Sequence, residues 1–220
     1  MKQTIALFAL TLTLFACNIK NEHDPNVLAT EACSCFNDRT SGSIDSRLDT
    51  CFAKRVNDEF NEIHKVYYKE EPVEIAIQKY MLDVSLSMIR TCDKFANEVD
   101  SMYTNFFPKI SKDSIKTDLF SIGDSLKNVD LTDSGKVALL DRRINLLMRA
   151  RLFSAWSSDI EILENKYQKT SENRFARAYI YRAERKYDEA IKILNESIEK
   201  DKKEDFKVFK ELLLKKKNGR

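Results

Sequence analysis

The sequence predicts an all-α fold: a disulfide-tied antiparallel helical bundle followed by repeat-like helical hairpins. Glycine and proline are rare, with four and three among 220 residues, and 33% of the residues are charged. This composition is typical of long helices joined by short loops. Over most of the chain, apolar residues recur at gaps of three and four, the spacing of one face of a helix. Four cysteines close together in the first half indicate covalent links between the first helices.

The N-terminal segment, residues 1–16, predicts export. Its single charge, Lys2, is followed by an apolar run from Ile5 to Phe15, an order typical of a secretory signal peptide. The segment ends in Leu14-Phe15-Ala16-Cys17, which resembles the lipobox of bacterial lipoproteins. The resemblance implies cleavage before Cys17 and acylation of its sulfur and new N-terminus, palmitate being one such acyl group. The alternative is an ordinary signal peptide or a short membrane anchor in which this cysteine is incidental.

A polar tether follows at residues 17–24. Lys20, Glu22 and Asp24 loosely resemble the charged signals of surface-exposed lipoproteins in Bacteroidota, although the acidic pair is interrupted. A solvated spacer is the alternative. Asn18 is not the aspartate that often retains lipoproteins at the inner membrane. The resemblance implies a lipid-anchored protein of the bacterial cell envelope at the outer membrane, on its periplasmic face or at the cell surface.

The first folded region is predicted to be a helical bundle over residues 25–107. Its three predicted helices cover residues 25–38, 44–67 and 73–106. An Asp-Pro pair at the start of the first helix and Ser43 before the second are typical N-terminal caps. The third helix is expected to be one unbroken rod. Its tight connection to the second helix predicts antiparallel packing.

Cys33, Cys35, Cys51 and Cys92 are predicted to form two disulfides. Four cysteines allow three pairings, and the direct Cys33–Cys35 link is disfavoured because it needs a strained ring. Two cysteines two positions apart point to opposite sides of a helix, so the first helix could be linked to both neighbours. The competing interpretation is a zinc site built on the Cys-x-Cys pair. Export to an oxidising compartment favours disulfides.

The helical pattern weakens over residues 108–132, which we interpret as a connector containing one helix. Thr132 is expected to cap a further helix that reaches Ala155, with another helix beginning at Ser157 or Ser158. The outer face of the helix that follows Thr132 carries four arginines, which we interpret as a solvated face rather than an anion site: Arg142, Arg143, Arg149 and Arg151.

The C-terminal region, residues 133–217, contains a recognisable pattern. The pattern consists of Ala178, Tyr181, Tyr187, Ala190, Leu194, Ser197 and Asp201. These residues resemble a tetratricopeptide repeat (TPR) over about 34 residues. By position, the resemblance implies that Phe175, Tyr179 and Arg182 could contact a protein partner. Arg185 departs from the family pattern, since it stands where glycine is common.

Two further departures concern charge. Arg174 and Arg177 replace the apolar residues expected early in the repeat.

Composition and motifs also limit the expected function. Loss of Lys2 with the signal lowers the net charge from +2 to +1, too little for the strongly basic surface that nucleic-acid binding needs. The sequence has neither a glycine-rich phosphate loop nor a histidine pair at ligand spacing, so no catalytic, metal or cofactor site is predicted. We expect a non-enzymatic protein-interaction or structural lipoprotein. The alternatives are an immunity-type inhibitor of a toxin and an enzyme of unrecognised class.

Overall fold

Helices make up the regular structure in the computed structural model, which describes residues 22–167 and 171–219; no strand occurs within those ranges. The predicted all-α class is therefore confirmed. The predicted signal peptide, Cys17 and most of the tether lie outside the described residues. The chain separates into a first unit that ends at Val99 and a second unit that begins at Asp100. No helix in the described part of the chain is both long enough and apolar enough to span a bilayer.

Five helices begin in the described part of the first unit, from residue 25 onward. They are α1 (Pro25–Asp38), α2 (Ile44–Leu48), α3 (Lys54–Val66), α4 (Val73–Thr91) and α5 (Asp93–Asn105). A wide π-type turn joins α2 to α3. The two predicted caps are confirmed, since Asp24 accepts a hydrogen bond from the amide of Asn26 at 2.8 Å and Ser43 accepts one from Ser46 at 3.2 Å. Each cap satisfies an amide that the first turn leaves without a helical partner.

The disulfides join α1 to two neighbours, as the opposed cysteines predicted. Cys33 pairs with Cys92, and Cys35 pairs with Cys51, with Cα–Cα distances of 5.5 and 5.7 Å. Both cysteines of α1 are partly exposed, whereas Cys92 is buried. The links hold α1 to the start of α5 on one side and to the π-type turn on the other. The zinc interpretation of these four residues is therefore wrong.

The prediction of one unbroken third helix is wrong at Cys92. This residue adopts an extended conformation, φ −115° and ψ 96°, and separates α4 from α5. The amide of Cys92 still bonds Met88 O at 2.8 Å, and Cys92 O still accepts from Ala96 at 2.9 Å. The apolar period therefore continues across the break, which is why the sequence pattern does not reveal it.

The C-terminal end of α1 is held by charged side chains of the same unit. Lys94 donates to the carbonyls of Phe36, Asn37 and Arg39 at 3.0–3.3 Å. These contacts satisfy carbonyls that have no partner inside the helix. Arg47 is buried, bonds both carboxylate oxygens of Glu98 and lies 4.1 Å from the centre of the Phe36 ring.

The second unit contains the last residues of α5 and six further helices. These are α6 (Lys116–Ser125), α7 (Asp133–Arg149), α8 (Phe153–Ile162), α9 (Ser171–Ala183), α10 (Tyr187–Asp201) and α11 (Phe206–Lys217). Thr132 caps α7 as predicted, with its hydroxyl 3.2 Å from the amide of Gly135. The core is a cluster of aliphatic and aromatic side chains, among them Leu147, Trp156, Ile180, Leu194 and Phe209.

The second unit begins earlier than the predicted end of the bundle at residue 107. Asp100 pairs with Arg182 at 2.6 Å, and the ring of Tyr103 stacks on Phe209 at 4.7 Å. The last turn of α5 therefore belongs with α9 and α11. The predicted connector, residues 108–132, lies wholly within this unit and contains α6.

The hairpin of α9 and α10 has the small residues at its contact that the sequence indicated. Ala178, Ala190 and Ser197 are fully buried, which allows the two helix backbones to approach closely. Arg185 adopts a left-handed conformation, φ 61°, where the repeat family commonly has glycine. The amides of Arg185 and Lys186 close the end of α9 onto the carbonyls of Arg182 and Tyr181 at 3.0 and 2.8 Å, a Schellman arrangement.

The predicted boundary between the next two helices is wrong. The sequence placed Ala155 inside the helix that follows Thr132, but α7 ends at Arg149 and α8 begins at Phe153. Arg151 takes a left-handed conformation, φ 59°, and its amide bonds Met148 O at 3.1 Å. A non-glycine residue rarely adopts this conformation, so the residue type gave no signal of a helix end.

Glycine substitutions at the two left-handed arginines should have opposite effects. Arg185 is exposed and its side chain makes no hydrogen bond among the described residues, so Arg185→Gly should raise the free energy of unfolding by roughly 0.5–1 kcal/mol. Arg151 donates to Met148 O, Tyr179 Oη, Thr104 O and Phe107 O. Its glycine variant should lose about 2 kcal/mol or more. Urea unfolding of both variants measures the difference; equal shifts would contradict it.

Candidate binding site

A pocket of about 460 Å³ lies in the second unit. Its lining residues are Tyr103, Phe106, Phe107, Met148, Phe175, Ala176, Lys203, Asp205 and Phe206. Most of them are aromatic. They come from the end of α5 and the two residues after it, from α7, from α9, and from the start of α11 and the loop before it. We call this set the aromatic pocket.

The aromatic side chains of the pocket pack against one another. The centroids of Phe175 and Phe206 lie 5.3 Å apart, and Phe175 lies 6.0 Å from Phe106. Phe107 meets Phe106 edge to face at 5.0 Å. Ring pairs at these distances add stability beyond the area that they bury. Contacts between the aromatic rings therefore hold the walls of the pocket in place.

The rim of the aromatic pocket exposes apolar surface. Phe106, just after the end of α5, is 60% exposed, and Met102, four residues earlier within α5, is 53% exposed. Two large apolar side chains four positions apart are thus exposed at the end of α5, where the pocket begins. Exposed aromatic residues next to a pocket are typical of protein-interaction surfaces.

Polar groups are few in the aromatic pocket. Lys203 and Asp205 supply its charges, and Tyr103 supplies a hydroxyl. Burial, together with the nearby carboxylate of Asp205, raises the pKa of Tyr103 to about 12. The hydroxyl is therefore protonated near neutral pH and is suited to donating a hydrogen bond. It is not suited to acting as a base.

Tyr179, which the repeat resemblance implied could contact a partner, is buried instead. The residue is only 2% exposed, and its hydroxyl donates to Thr104 O at 3.1 Å and accepts from Arg151 at 3.1 Å. Its ring meets Phe107 edge to face at 5.4 Å. Residues 100–107 cover the face of α9 that the repeat family leaves open, so Tyr179 is part of the core beneath the pocket.

Arg182 is also held inside the second unit rather than presented to a partner. Its guanidinium lies 2.6 Å from Asp100 and 2.7 Å from the hydroxyl of Thr104. Lys216 approaches the same carboxylate at 3.0 Å. Of the three predicted partner-binding residues, only Phe175 lines the aromatic pocket.

The arginines of α7 do not form a solvated face. Arg143 makes two hydrogen bonds to Asp159, which is 3% exposed. Arg149 lies 3.4 Å from Pro108 O. Arg142 is exposed and lies 3.6 Å from Asp118. The other three, Arg143, Arg149 and Arg151, serve as internal cross-links because each donates to a carbonyl or carboxylate of a neighbouring segment.

The two arginines that replace apolar residues early in the repeat pattern have similar roles. Arg174 donates to Ser197 at 3.0 Å and pairs with Asp201. Arg177 pairs with Glu164 at 2.8 Å. Charged residues at these positions are therefore compatible with a packed hairpin.

Sequence reasoning missed Tyr103, Phe106 and Phe107 as pocket residues. The available signal was the density of aromatic residues at the end of a predicted helix, immediately before Pro108. No group of three His, Cys, Asp or Glu side chains in the described ranges is arranged to hold a metal ion. No known protein family, curated protein or solved structure matches this chain.

Proposed function

We propose that this protein is a non-enzymatic, lipid-anchored interaction protein of the bacterial cell envelope. In this proposal Cys17 carries the lipid, and the second unit binds an apolar side chain of a protein partner in the aromatic pocket. The observation that carries the proposal is the aromatic pocket together with the exposed apolar surface beside it. The lipid anchor is supported by the lipobox pattern that ends at Cys17.

The pocket volume and lining are suited to binding an apolar group. A volume of about 460 Å³ falls within the range of roughly 300–1,000 Å³ that is common for ligand pockets. Its lining is mainly aromatic, with Lys203 and Asp205 as polar groups that could orient a bound segment. An apolar anchor in a pocket with a polar margin is the usual arrangement at the centre of a protein interface.

A protein partner fits this surface better than a small molecule does. A small molecule inside the pocket would leave Met102 and the outer face of Phe106 in water. A protein segment that places one side chain in the pocket could also cover both of these residues. Covering both residues would remove additional apolar area from water, which is favourable at about 25 cal/mol per Å².

Site-specific photocrosslinking tests the binding proposal. We expect a benzophenone amino acid in place of Phe106 to give a discrete crosslinked protein band in cells. The matched control is the same amino acid in place of Phe120, which is 76% exposed but lies outside the pocket. A band at position 106 that disappears on Met102→Ser substitution and is absent at position 120 would support the proposal. No band at position 106, or the same bands at both positions, would overturn it.

Metabolic labelling tests the anchor separately. A labelled fatty acid should be incorporated into the wild-type protein and not into Cys17→Ser, because Cys17 supplies both the sulfur and, after cleavage, the N-terminus that would be acylated. Equal labelling of the two proteins would contradict the lipoprotein assignment.

A further inference from the structure

The tether meets the first unit at a fixed point. The carbonyl of His23 accepts a hydrogen bond from Tyr80 at 2.5 Å, and His23 Nδ1 lies 3.5 Å from a carboxylate oxygen of Glu59. Tyr80 is fully buried. Immediately after His23, Asp24 caps α1. The position at which the chain leaves the folded unit toward Cys17 is therefore defined by packed and hydrogen-bonded groups.

Side-chain contacts fix the direction of the helices around this point. Moving along α1, His23 contacts Tyr80 and Asn26 bonds Ser87 at 2.8 Å. Farther along, Cys33 is bonded to Cys92. Residue numbers increase in the same order along both sides of these contacts, so α1 and α4 run parallel to each other. The N-terminal ends of both helices therefore lie at the same end of the first unit.

The second disulfide gives the direction of α3. Cys35 is bonded to Cys51, which precedes α3, whereas His23 lies near Glu59 within α3. The helix thus runs antiparallel to α1, and its C-terminus lies at the end where the tether leaves. We call residues 66–75, the last residue of α3 together with the α3–α4 loop and the first turn of α4, the tether end.

Chain length limits which surface of the first unit can meet the membrane. Five residues lie between Cys17 and His23, so six residue-to-residue steps join them. A fully extended chain covers at most about 3.5 Å per step, or roughly 20 Å here. The 14 residues of α1 extend roughly 20 Å at 1.5 Å per residue. An anchored chain would have to use its whole reach to present the opposite end, the loop at residues 39–43.

The chemistry of the tether end suits a lipid surface. Val73 and Ile75 are exposed apolar residues, and Tyr67 and Tyr68 are partly exposed in the adjoining loop. Tyrosine is favoured at the membrane–water interface, where its ring can contact apolar groups while its hydroxyl is hydrated. The segment holds one basic residue, Lys69, and three acidic ones, Glu70, Glu71 and Glu74. Its net charge of −2 favours contact with uncharged rather than anionic headgroups.

We propose that residues 66–75 form the bilayer-facing surface of this protein, held against the lipid headgroups by the short tether. This inference rests on the lipid anchor at Cys17 that is part of the proposed function. It assigns a lipid surface, rather than a protein, as the partner of the first unit. Val73 and Ile75 supply the apolar contact.

Amide hydrogen exchange of the full lipidated protein tests this surface. The protein is placed in vesicles of phosphatidylethanolamine with a minority of phosphatidylglycerol and compared with Cys17→Ser protein in the same vesicle suspension. We expect exchange over residues 66–75 to be several-fold slower in the anchored protein. The loop at residues 39–43, at the opposite end of α1, is the internal control and should exchange equally in both samples.

The outcomes separate this inference from the proposed anchor. A chain that carries no lipid and does not float with vesicles would contradict the anchor and remove the basis for the inference. A lipidated, vesicle-bound chain without protection over residues 66–75 would overturn only the bilayer-facing surface. Protection at residues 39–43 instead would show that the opposite end faces the membrane, which also overturns it.

Discussion

Removing the Cys33–Cys92 disulfide should lower the free energy of unfolding of the first unit by about 4 kcal/mol. The link spans 59 residues of sequence, so its absence gives the unfolded chain a large gain in conformational freedom. The Cys35–Cys51 link spans 16 residues, and its removal should cost about 3 kcal/mol on the same chain-entropy argument. The longer loop should therefore show the larger effect.

Paired alanine variants measure this difference in the Cys17→Ser background. Both variants remove two sulfurs and leave no unpaired thiol, so they are matched controls for each other. Trp156 is the single tryptophan and lies in the second unit. The midpoint of urea unfolding measured by helical circular dichroism should move to lower urea concentration. The midpoint measured by tryptophan fluorescence should change less. A larger loss for the Cys35–Cys51 pair would contradict the loop-length argument.

Replacing Arg143 with alanine should destabilise the second unit by roughly 3–5 kcal/mol, because it leaves a buried carboxylate without its partner. Asp159 is 3% exposed and receives both hydrogen bonds from this guanidinium. Tryptophan fluorescence during urea unfolding is the measurement, since Trp156 lies one turn from Asp159 on α8.

Arg142→Ala is the matched control for Arg143→Ala. The two arginines are neighbours on α7, but Arg142 is exposed and its nearest approach to Asp118 is 3.6 Å. An exposed ion pair contributes about 1 kcal/mol or less, so this variant should unfold nearly as the wild type does. A double variant, Arg143→Met with Asp159→Leu, should recover much of the lost stability because no buried charge remains. Equal destabilisation by the two alanine variants would disprove the argument.

The starts of several helices could be predicted because their signals are local. Asp24, Ser43 and Thr132 each accept a hydrogen bond from an amide within the next three residues, and the geometry of such a cap depends only on neighbouring residues. The opposed cysteines of α1 were equally informative, because their separation on a helix follows from the helical period. The choice between the two remaining pairings needed the directions of the neighbouring helices.

The two misplaced helix boundaries have a common cause. At Cys92 and at Arg151, a single residue leaves the helical conformation while apolar residues continue at helical spacing on both sides. Neither residue type is a helix breaker. What stabilises the conformations is tertiary: a disulfide to Cys33 at one position, and hydrogen bonds to Thr104 O and Phe107 O at the other.

The candidate site was harder to predict than the fold because it, too, depends on contacts between segments that are distant in the sequence. The repeat pattern identified Phe175, which does line the aromatic pocket. It could not reveal that residues 100–107 cover the neighbouring face of α9 and bury Tyr179. Sequence periodicity indicates which face of a helix is apolar, but it does not indicate which distant segment packs there.

The stacking of Tyr103 on Phe209 has a consequence for biosynthesis. Tyr103 lies at the start of the second unit and Phe209 lies on α11, so this part of the core cannot form until α11 has been synthesised. Proteins are synthesised from the N-terminus at about 5–20 residues per second. A chain terminated before α11 would leave Tyr103 and Phe175 without their ring contacts to that helix, and we expect it to be more sensitive to proteolysis than the longer chain.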